Sequence, residues 1–136
     1  MGSRKEIGKR AEREAKKRLS KEGLVVYGET TSYYENSTKN KGVIDLILIK
    51  DGEGYQIKTT QNKKYYFKKD EVLKIIDWTK TTGFDAYYLI LFRRGQGKKG
   101  KWYKVRVSKD LIGKKVVLEE DEVVMEILRN YNEYIK

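Results

Sequence analysis

The stretch VIDLILIKDGEGYQIKTT, residues 43–60, decides the fold of this chain. Two runs rich in β-branched residues flank the turn sequence DGEG, and this pattern predicts a β-hairpin. The first run, residues 43–49, is nearly all apolar, so we expect it to be a buried central strand. The rest of the chain is expected to pack around this hairpin.

Three polar side chains interrupt the hairpin. Asp45 lies within the apolar first run, where a carboxylate costs free energy unless it is paired or binds a metal. Gln56 and Lys58 are two residues apart, so their side chains share one face of the second strand, about 6.5 Å from each other. An acid and an amide that bind a metal, beside a lysine that stabilises a charged phosphate, suit metal-dependent phosphodiester cleavage. An acid followed by Gln-x-Lys is common by chance, but its place on a predicted hairpin strengthens the prediction of such a site.

The composition indicates one basic domain. The chain has 136 residues, which predicts a single domain over 1–136. It carries 31 Lys and Arg against 20 Asp and Glu, a formal net charge of +11. Such an excess of positive charge favours a polyanionic partner, most often nucleic acid. The alternative is a basic protein whose charge serves only solubility.

Two absences from the sequence restrict the chemistry. The chain contains no Cys and no His, which excludes disulfides, zinc–thiolate sites and triads that use His. A metal must then bind oxygen ligands, which favours Mg²⁺ or Mn²⁺, and we expect no small-molecule cofactor. No stretch approaches 18 apolar residues and no signal peptide is visible. We therefore expect a cytoplasmic, DNA-associated protein with no membrane partner.

A basic helix is predicted before the hairpin. Ser3 and Glu6 form a capping box, and apolar residues at four-residue spacing predict an amphipathic helix over 3–21. The polar face of this helix mixes acids such as Glu12 with many bases. That mixture fits either ion pairs on the surface or a nucleic-acid interface.

The other segments complete an α/β (α+β) plan with a mixed central β-sheet flanked by helices. The polar loop 28–42 is either functional or an insertion. Lysines interleaved with aromatic residues over 63–69 fit either a nucleic-acid surface or a half-buried edge strand. The remaining predicted elements are a strand over 24–27, a helix over 70–82, strands over 85–92 and 102–107 joined by a basic turn, and a final helix over about 120–135.

Several motifs together resemble a known family. They are GKRAERE at 8–14, VIDL at 43–46, QIKTT at 56–60 and the strand, helix and strand that follow. With these motifs the chain resembles archaeal-type Holliday junction resolvases of the PD-(D/E)XK nuclease superfamily. The resemblance implies a restriction-endonuclease-like α-β-β-β-α-β core at about 3–108, a homodimer, Mg²⁺ dependence and cleavage of four-way DNA junctions.

The resemblance also implies roles for particular residues. Asp45 matches the first metal ligand, Lys58 the catalytic lysine and Glu12 the helix acid that completes the metal site. Gln56 stands where the superfamily has an acid, so it removes one negative charge while keeping an amide oxygen as a metal ligand. Ser32 is the match to a functional resolvase serine.

The basic segments of the chain supply most of the other expected DNA contacts. The residues expected to contact DNA besides Ser32 are Lys9, Arg10, Arg13, Lys39, Lys41, Thr59, Thr60, Lys63, Lys64, Arg93 and Arg94.

Gln56 leaves three functions open. The first, which we expect, is a structure-selective endonuclease that resolves Holliday junctions by metal-dependent hydrolysis. The second is a sequence-specific endonuclease of the homing type, since some of those enzymes resemble this chain in carrying Gln before the lysine. The third is a catalytically weakened relative that binds DNA without cleaving it.

Overall fold

The computed structural model describes residues 4–28, 43–95 and 97–128. The elements, in chain order, are α1 (Arg4–Ser20), β1 (Val25–Tyr27), β2 (Leu46–Leu48), β3 (Glu53–Thr60), β4 (Lys64–Tyr66), α2 (Lys69–Thr82), β5 (Asp85–Phe92), β6 (Lys101–Arg106), a 3₁₀ helix (Lys109–Leu111), β7 (Lys114–Glu119) and β8 (Glu122–Ile127). Neither of the two described α-helices is long and apolar enough to cross a membrane.

A mixed five-stranded sheet of order β1-β2-β3-β5-β6 forms the centre of the protein. The predicted hairpin is present as β2 and β3, which pair antiparallel with Leu46 opposite Tyr55. β3 pairs in parallel with β5, and the crossover between them contains α2. The expected mixed sheet is therefore confirmed. β3 is the middle strand of this sheet by its place in the order. The first run forms the internal strand β2, between β1 and β3, and is buried at Ile44, Leu46 and Leu48, but the strand ends before Ile49, which is exposed.

α1 covers one face of this sheet. Ala11, Ala15 and Leu19 recur at four-residue spacing and are all buried. They pack against apolar residues of β2 and β3, including Leu48 and Ile57. The predicted amphipathic helix is confirmed, and its small alanines face the sheet.

α2 covers the opposite face. Its buried residues are Val72, Ile75 and Trp78. It ends at Thr82 and is capped by Gly83, whose φ of 77° is left-handed and whose N–H donates to the carbonyl O of Thr79. A Cβ on Gly54 would lie 2.5 Å from the Trp78 ring, so the glycine in the hairpin allows this tryptophan to pack.

A second sheet of order β4-β7-β8 corrects the prediction for the end of the chain. Residues 122–127 form β8, which pairs antiparallel with β7 across a turn that contains Glu120 at a positive φ of 57°. The predicted helix over 120–135 is wrong for this strand, since β-branched runs on both sides of a tight turn favour a hairpin. The part of that prediction over 129–135 lies outside the described residues.

Candidate active site

The hairpin fixes Asp45 against the central strand. The N–H of Asp45 donates to the carbonyl O of Tyr55 at 2.9 Å, and the N–H of Ile57 donates to Asp45 Oδ2 at 2.9 Å. At the end of β1, the N–H of Gly28 donates to the carbonyl O of Asp45 at 2.9 Å. A Cβ on Gly28 would lie 2.2 Å from the carbonyl O of Ile44, so this close approach requires glycine. Asp45 thus has a fixed backbone and a carboxylate beside β3.

Gln56 and Lys58 lie on the face of β3 that α2 covers. They alternate along the strand with Tyr55 and Ile57, which belong to the core under α1. Gln56 is 7% exposed, and its Oε1 has no hydrogen-bond partner among the described residues. An unpaired buried amide oxygen costs about 1–3 kcal/mol. It is the kind of acceptor that a bound cation would use.

The electrostatics of Asp45 show which charges surround it. Burial raises the pKa of the Asp45 carboxyl from 3.8 to about 6. The hydrogen bond from Ile57 and the positive charge of Lys58 oppose this rise in pKa. The negative charges of Glu12 and Glu71 add to it. A cation bound nearby would favour the ionised carboxylate.

Glu12 acts from α1 on the cluster of Asp45, Gln56 and Lys58, because its charge adds to the rise in the pKa of Asp45. It directly follows Ala11, which packs against the sheet, and its side chain is partly buried. Within residues 4–28, 43–95 and 97–128, no three acidic side chains lie close enough together to hold a metal ion. The candidate donors are therefore two carboxylates, of Glu12 and Asp45, and the amide oxygen of Gln56. These oxygen ligands fit Mg²⁺ or Mn²⁺, with less negative charge than three acids would supply.

Glu71 is a member of the cluster that the sequence analysis missed. Its Oε2 lies 2.6 Å from the Nζ of Lys58, and its Oε1 accepts hydrogen bonds from the hydroxyls of Tyr88 at 2.7 Å and Tyr65 at 3.3 Å. The crossover from β3 to β5 is the feature of the sequence that could have predicted the position of Glu71. Since α2 begins on the side where β3 ends, an acid in its first turn lies near Lys58.

A basic groove of about 670 Å³ lies along α1 and β1. Of the predicted DNA-contacting residues, Arg10 and Arg13 line it, whereas Lys9 is exposed on the same helix. The groove adjoins the cluster through β1. Tyr27 lines the groove, and the next residue, Gly28, donates its N–H to the carbonyl O of Asp45. The full lining consists of Arg10, Arg13, Glu14, Lys16, Lys17, Ser20 and Tyr27.

Thr59, Thr60 and Arg93 have structural partners at the end of β3. Thr59 Oγ1 accepts a hydrogen bond from Arg93 Nε at 3.1 Å. Thr60 Oγ1 donates to the carbonyl O of Lys64 at 3.1 Å and accepts from the N–H of Asn62 at 3.2 Å. These bonds hold the turn after β3 close to Lys58.

The other predicted DNA contacts are more scattered. Arg94 Nη1 lies 2.5 Å from Asp121 Oδ1, so it joins the turn after β5 to the turn before β8. Lys63 and Lys64 are exposed at the start of β4, which is an edge strand with Phe67 buried behind it. Three further candidates lie outside the described residues: Ser32, Lys39 and Lys41.

Known proteins are similar to this chain in sequence and in fold. The model of the family described as archaeal Holliday junction resolvase (Hjc) matches residues 3–125. The crossover junction endodeoxyribonuclease Hjc of Methanocaldococcus jannaschii is 34% identical over 87 residues, which are 62% of this chain and 59% of that protein. The match thus spans about three-fifths of the relative's length. A solved structure of Archaeoglobus fulgidus Hjc, described as a Holliday junction resolvase, matches with a TM-score of 0.55 and 18% identity over 74% of this chain and 77% of that one. This last likeness supports the fold.

Proposed function

Because this chain belongs to the archaeal Holliday junction resolvase family, we propose that it is a structure-selective DNA endonuclease that resolves four-way junctions. In this proposal the chain forms a single nuclease domain. One observation carries it: the hairpin sets the Asp45 carboxylate against Ile57, the residue between Gln56 and Lys58, and the charges of Lys58 and Glu12 both act on Asp45.

Glu12, Asp45 and Gln56 are proposed to hold one divalent cation, Mg²⁺ or Mn²⁺. The buried and unpaired Oε1 of Gln56 supports this assignment, since a cation would satisfy it. The raised pKa of Asp45 supports it as well, because a carboxylate held in its costly ionised form gains most from a cation. When bound, the metal would act as a Lewis acid and lower the pKa of an attacking water.

Lys58 is proposed to stabilise the charge that develops on the phosphate during hydrolysis. Its ammonium lies on the same face as Gln56 and is 26% exposed, so one side is available to a substrate while the other contacts Glu71. A fixed ammonium beside a developing oxyanion is a strong source of rate enhancement in a site that excludes water.

The basic groove on α1 is proposed to bind the DNA backbone. Its arginines and lysines neutralise phosphates, and phosphate contacts position a duplex without reading its sequence. The Lys16 ammonium lies 4.5 Å from the ring centroid of Tyr27, so a lysine of α1 packs on this exposed aromatic ring of β1. Recognition of a junction would then depend on the geometry of its phosphates.

A homodimer is proposed because a four-way junction has two equivalent strands to cut. One chain offers one candidate site, so two symmetric nicks require two chains. Sedimentation of the protein, free and with junction DNA, tests this assignment. A monomer under both conditions would contradict it.

The central test compares a labelled four-way junction with a linear duplex of the same sequence. We expect symmetric nicks in the junction when Mg²⁺ is present, none with a chelator, and none with Asp45→Asn. Cutting of the duplex at one sequence would instead favour a homing-type endonuclease, the alternative that Gln56 itself favours. Junction binding without cleavage under any metal would favour a DNA-binding relative.

A further inference from the structure

Glu71 uses both of its carboxylate oxygens inside the candidate site. Oε2 pairs with the Lys58 ammonium at 2.6 Å, and Oε1 accepts the hydroxyl hydrogens of Tyr88 and Tyr65. A carboxylate with partners on both oxygens cannot rotate freely. Within the described part of the chain, the ion pair formed by Lys58 is the one with Glu71.

The two tyrosines are themselves held in place. Tyr88 is fully buried in the central sheet, and its ring lies 5.2 Å from that of Phe67 and 6.1 Å from that of Tyr65, centroid to centroid. Burial raises the pKa of Tyr65, so its hydroxyl stays protonated and can donate. Glu71 also lies in the first turn of α2, where the helix dipole favours a negative charge. Its carboxylate is therefore anchored from three directions.

This anchoring matters because lysine is flexible. A lysine side chain has four rotatable bonds, and a free ammonium near the site would sample many positions. Lys58 and Glu71 are 26% and 24% exposed, so the pair is partly shielded from water. Gln56 has no charge to attract the ammonium, which leaves Glu71 as its anionic hydrogen-bond partner.

We propose that Glu71 is a positioning residue that holds the Lys58 ammonium where the reacting phosphate will lie, with the hydroxyls of Tyr88 and Tyr65 holding Glu71. Glu71 itself does not touch DNA in this arrangement. The proposal rests on the proposed nuclease function for its effect on rate. Its effect on Lys58 can be measured without DNA or metal.

Glu71→Gln is the first test, because glutamine keeps the length of the side chain and an oxygen for the tyrosines but loses the charge. With a labelled four-way junction, saturating protein and Mg²⁺, we expect the single-turnover nicking rate to fall about ten- to a hundred-fold. We expect the junction Kd to change less than about two-fold, since binding depends on other bases.

Asp70→Asn is the matched control. Asp70 lies in the same first turn of α2 and is exposed, so this change removes the same charge from the same helix end. It should leave the nicking rate at that of the parent. Tyr88→Phe provides a second variant in case Glu71→Gln fails to fold: it keeps the buried ring, removes the shorter bond to Glu71 and should slow nicking several-fold. Equal rates for Glu71→Gln and Asp70→Asn in folded protein would overturn the proposal.

A spectroscopic measurement separates this proposal from the proposed function. The ¹⁵Nζ ammonium signal of Lys58, assigned by its loss in Lys58→Arg, should be visible in the metal-free parent because its protons exchange slowly. It should broaden or vanish in Glu71→Gln and persist in Asp70→Asn. If the parent cleaves no DNA, the proposed function fails while this signal still decides whether Glu71 holds Lys58. An unchanged signal in Glu71→Gln would refute the positioning role.

Discussion

The two faces of β3 differ in how their side chains are partnered. Toward α1, Tyr55 and Ile57 are buried among apolar neighbours. Toward α2, Gln56 carries a buried oxygen without a described partner, and Lys58 brings a charge into partly buried surroundings. Because side chains alternate along a strand, one strand supports both arrangements at the same time.

This difference places apolar burial and the candidate chemistry within the same four residues, 55–58. The apolar face contributes free energy of folding through burial. The polar face costs free energy, since the unpaired oxygen of Gln56 opposes folding. The desolvated carboxylate of Asp45, beside β3, adds to this cost. Such costs are typical of functional sites. Substitutions on the two faces should therefore have different consequences, and the following predictions test that division.

The largest expected effect is on the polar face. Lys58→Ala should slow junction cleavage on the order of a hundred- to a thousand-fold, because it removes the cation that we propose stabilises the developing phosphate charge. The junction Kd should change only a few-fold. Nicking rates and Kd measured side by side check this, with Lys80→Ala on the exposed end of α2 as control. A Lys58→Ala variant that cleaves like the control would place the chemistry elsewhere.

The next effect belongs to the apolar face. Ile57→Ala should destabilise the fold by about 2–4 kcal/mol, since it leaves a cavity between β3 and α1. Its N–H still donates to Asp45, so cleavage by the folded fraction should stay near that of the parent. Denaturant unfolding checks the loss, and Ile49→Ala, at a side chain 45% exposed, is the control. Loss of cleavage in folded Ile57→Ala protein would show that the two faces are coupled.

The hairpin could be predicted from the sequence because its signals are local. Two runs rich in β-branched residues and the glycine-containing turn between them predicted β2 and β3, and their pairing sets Asp45 against Ile57, between Gln56 and Lys58. Once the hairpin forms, its strand register alone determines which residues of β3 lie beside Asp45. The candidate roles of these residues remain predictions.

Glu71 and β8 could not be found in the same way. Glu71 is 13 positions after Lys58, and its approach depends on how α2 crosses the sheet. In β8, Val124 and Ile127 fit a helical period as well as a strand, and only pairing with β7 decides between them. The polar partners Tyr65 and Tyr88 come from two different sheets, so their meeting is a tertiary event.

The third prediction sets function against stability at Asp45. Burial raises its pKa from 3.8 to about 6, so the folded protein binds this proton more tightly than the unfolded chain. That stabilising contribution is complete below pH about 4 and is lost as pH rises through about 6. Asp45→Asn removes a candidate metal ligand, yet it should raise the metal-free free energy of unfolding by about 1–3 kcal/mol at pH 7.

Unfolding with a chelator at pH 4 and pH 7 measures this effect. The gain of Asp45→Asn over the parent should disappear at the lower pH. Asp51→Asn, in the exposed turn of the same hairpin, serves as control. A gain that is equal at both pH values would mean that burial of the charge is not its cause.

The smallest effect is expected at Gln56, where the polar face can gain a charge. Gln56→Glu should tighten Mg²⁺ binding about ten-fold, because the charge of the ligands tunes metal affinity. Without metal, a third negative charge beside Asp45 and Glu12 should lower the melting temperature.

Thermal unfolding with and without Mg²⁺ measures both consequences of Gln56→Glu independently of cleavage. The shift in Tm caused by Mg²⁺ should be larger in Gln56→Glu than in the parent, because a ligand that binds the folded state stabilises it according to its affinity. Gln61→Glu adds the same charge at an exposed position in the turn after β3 and should leave the shift unchanged. We expect cleavage to be kept or raised in Gln56→Glu. If metal binding tightens while cleavage is lost, Gln56 is an adapted ligand, and the homing-type endonuclease becomes the better interpretation of the polar face.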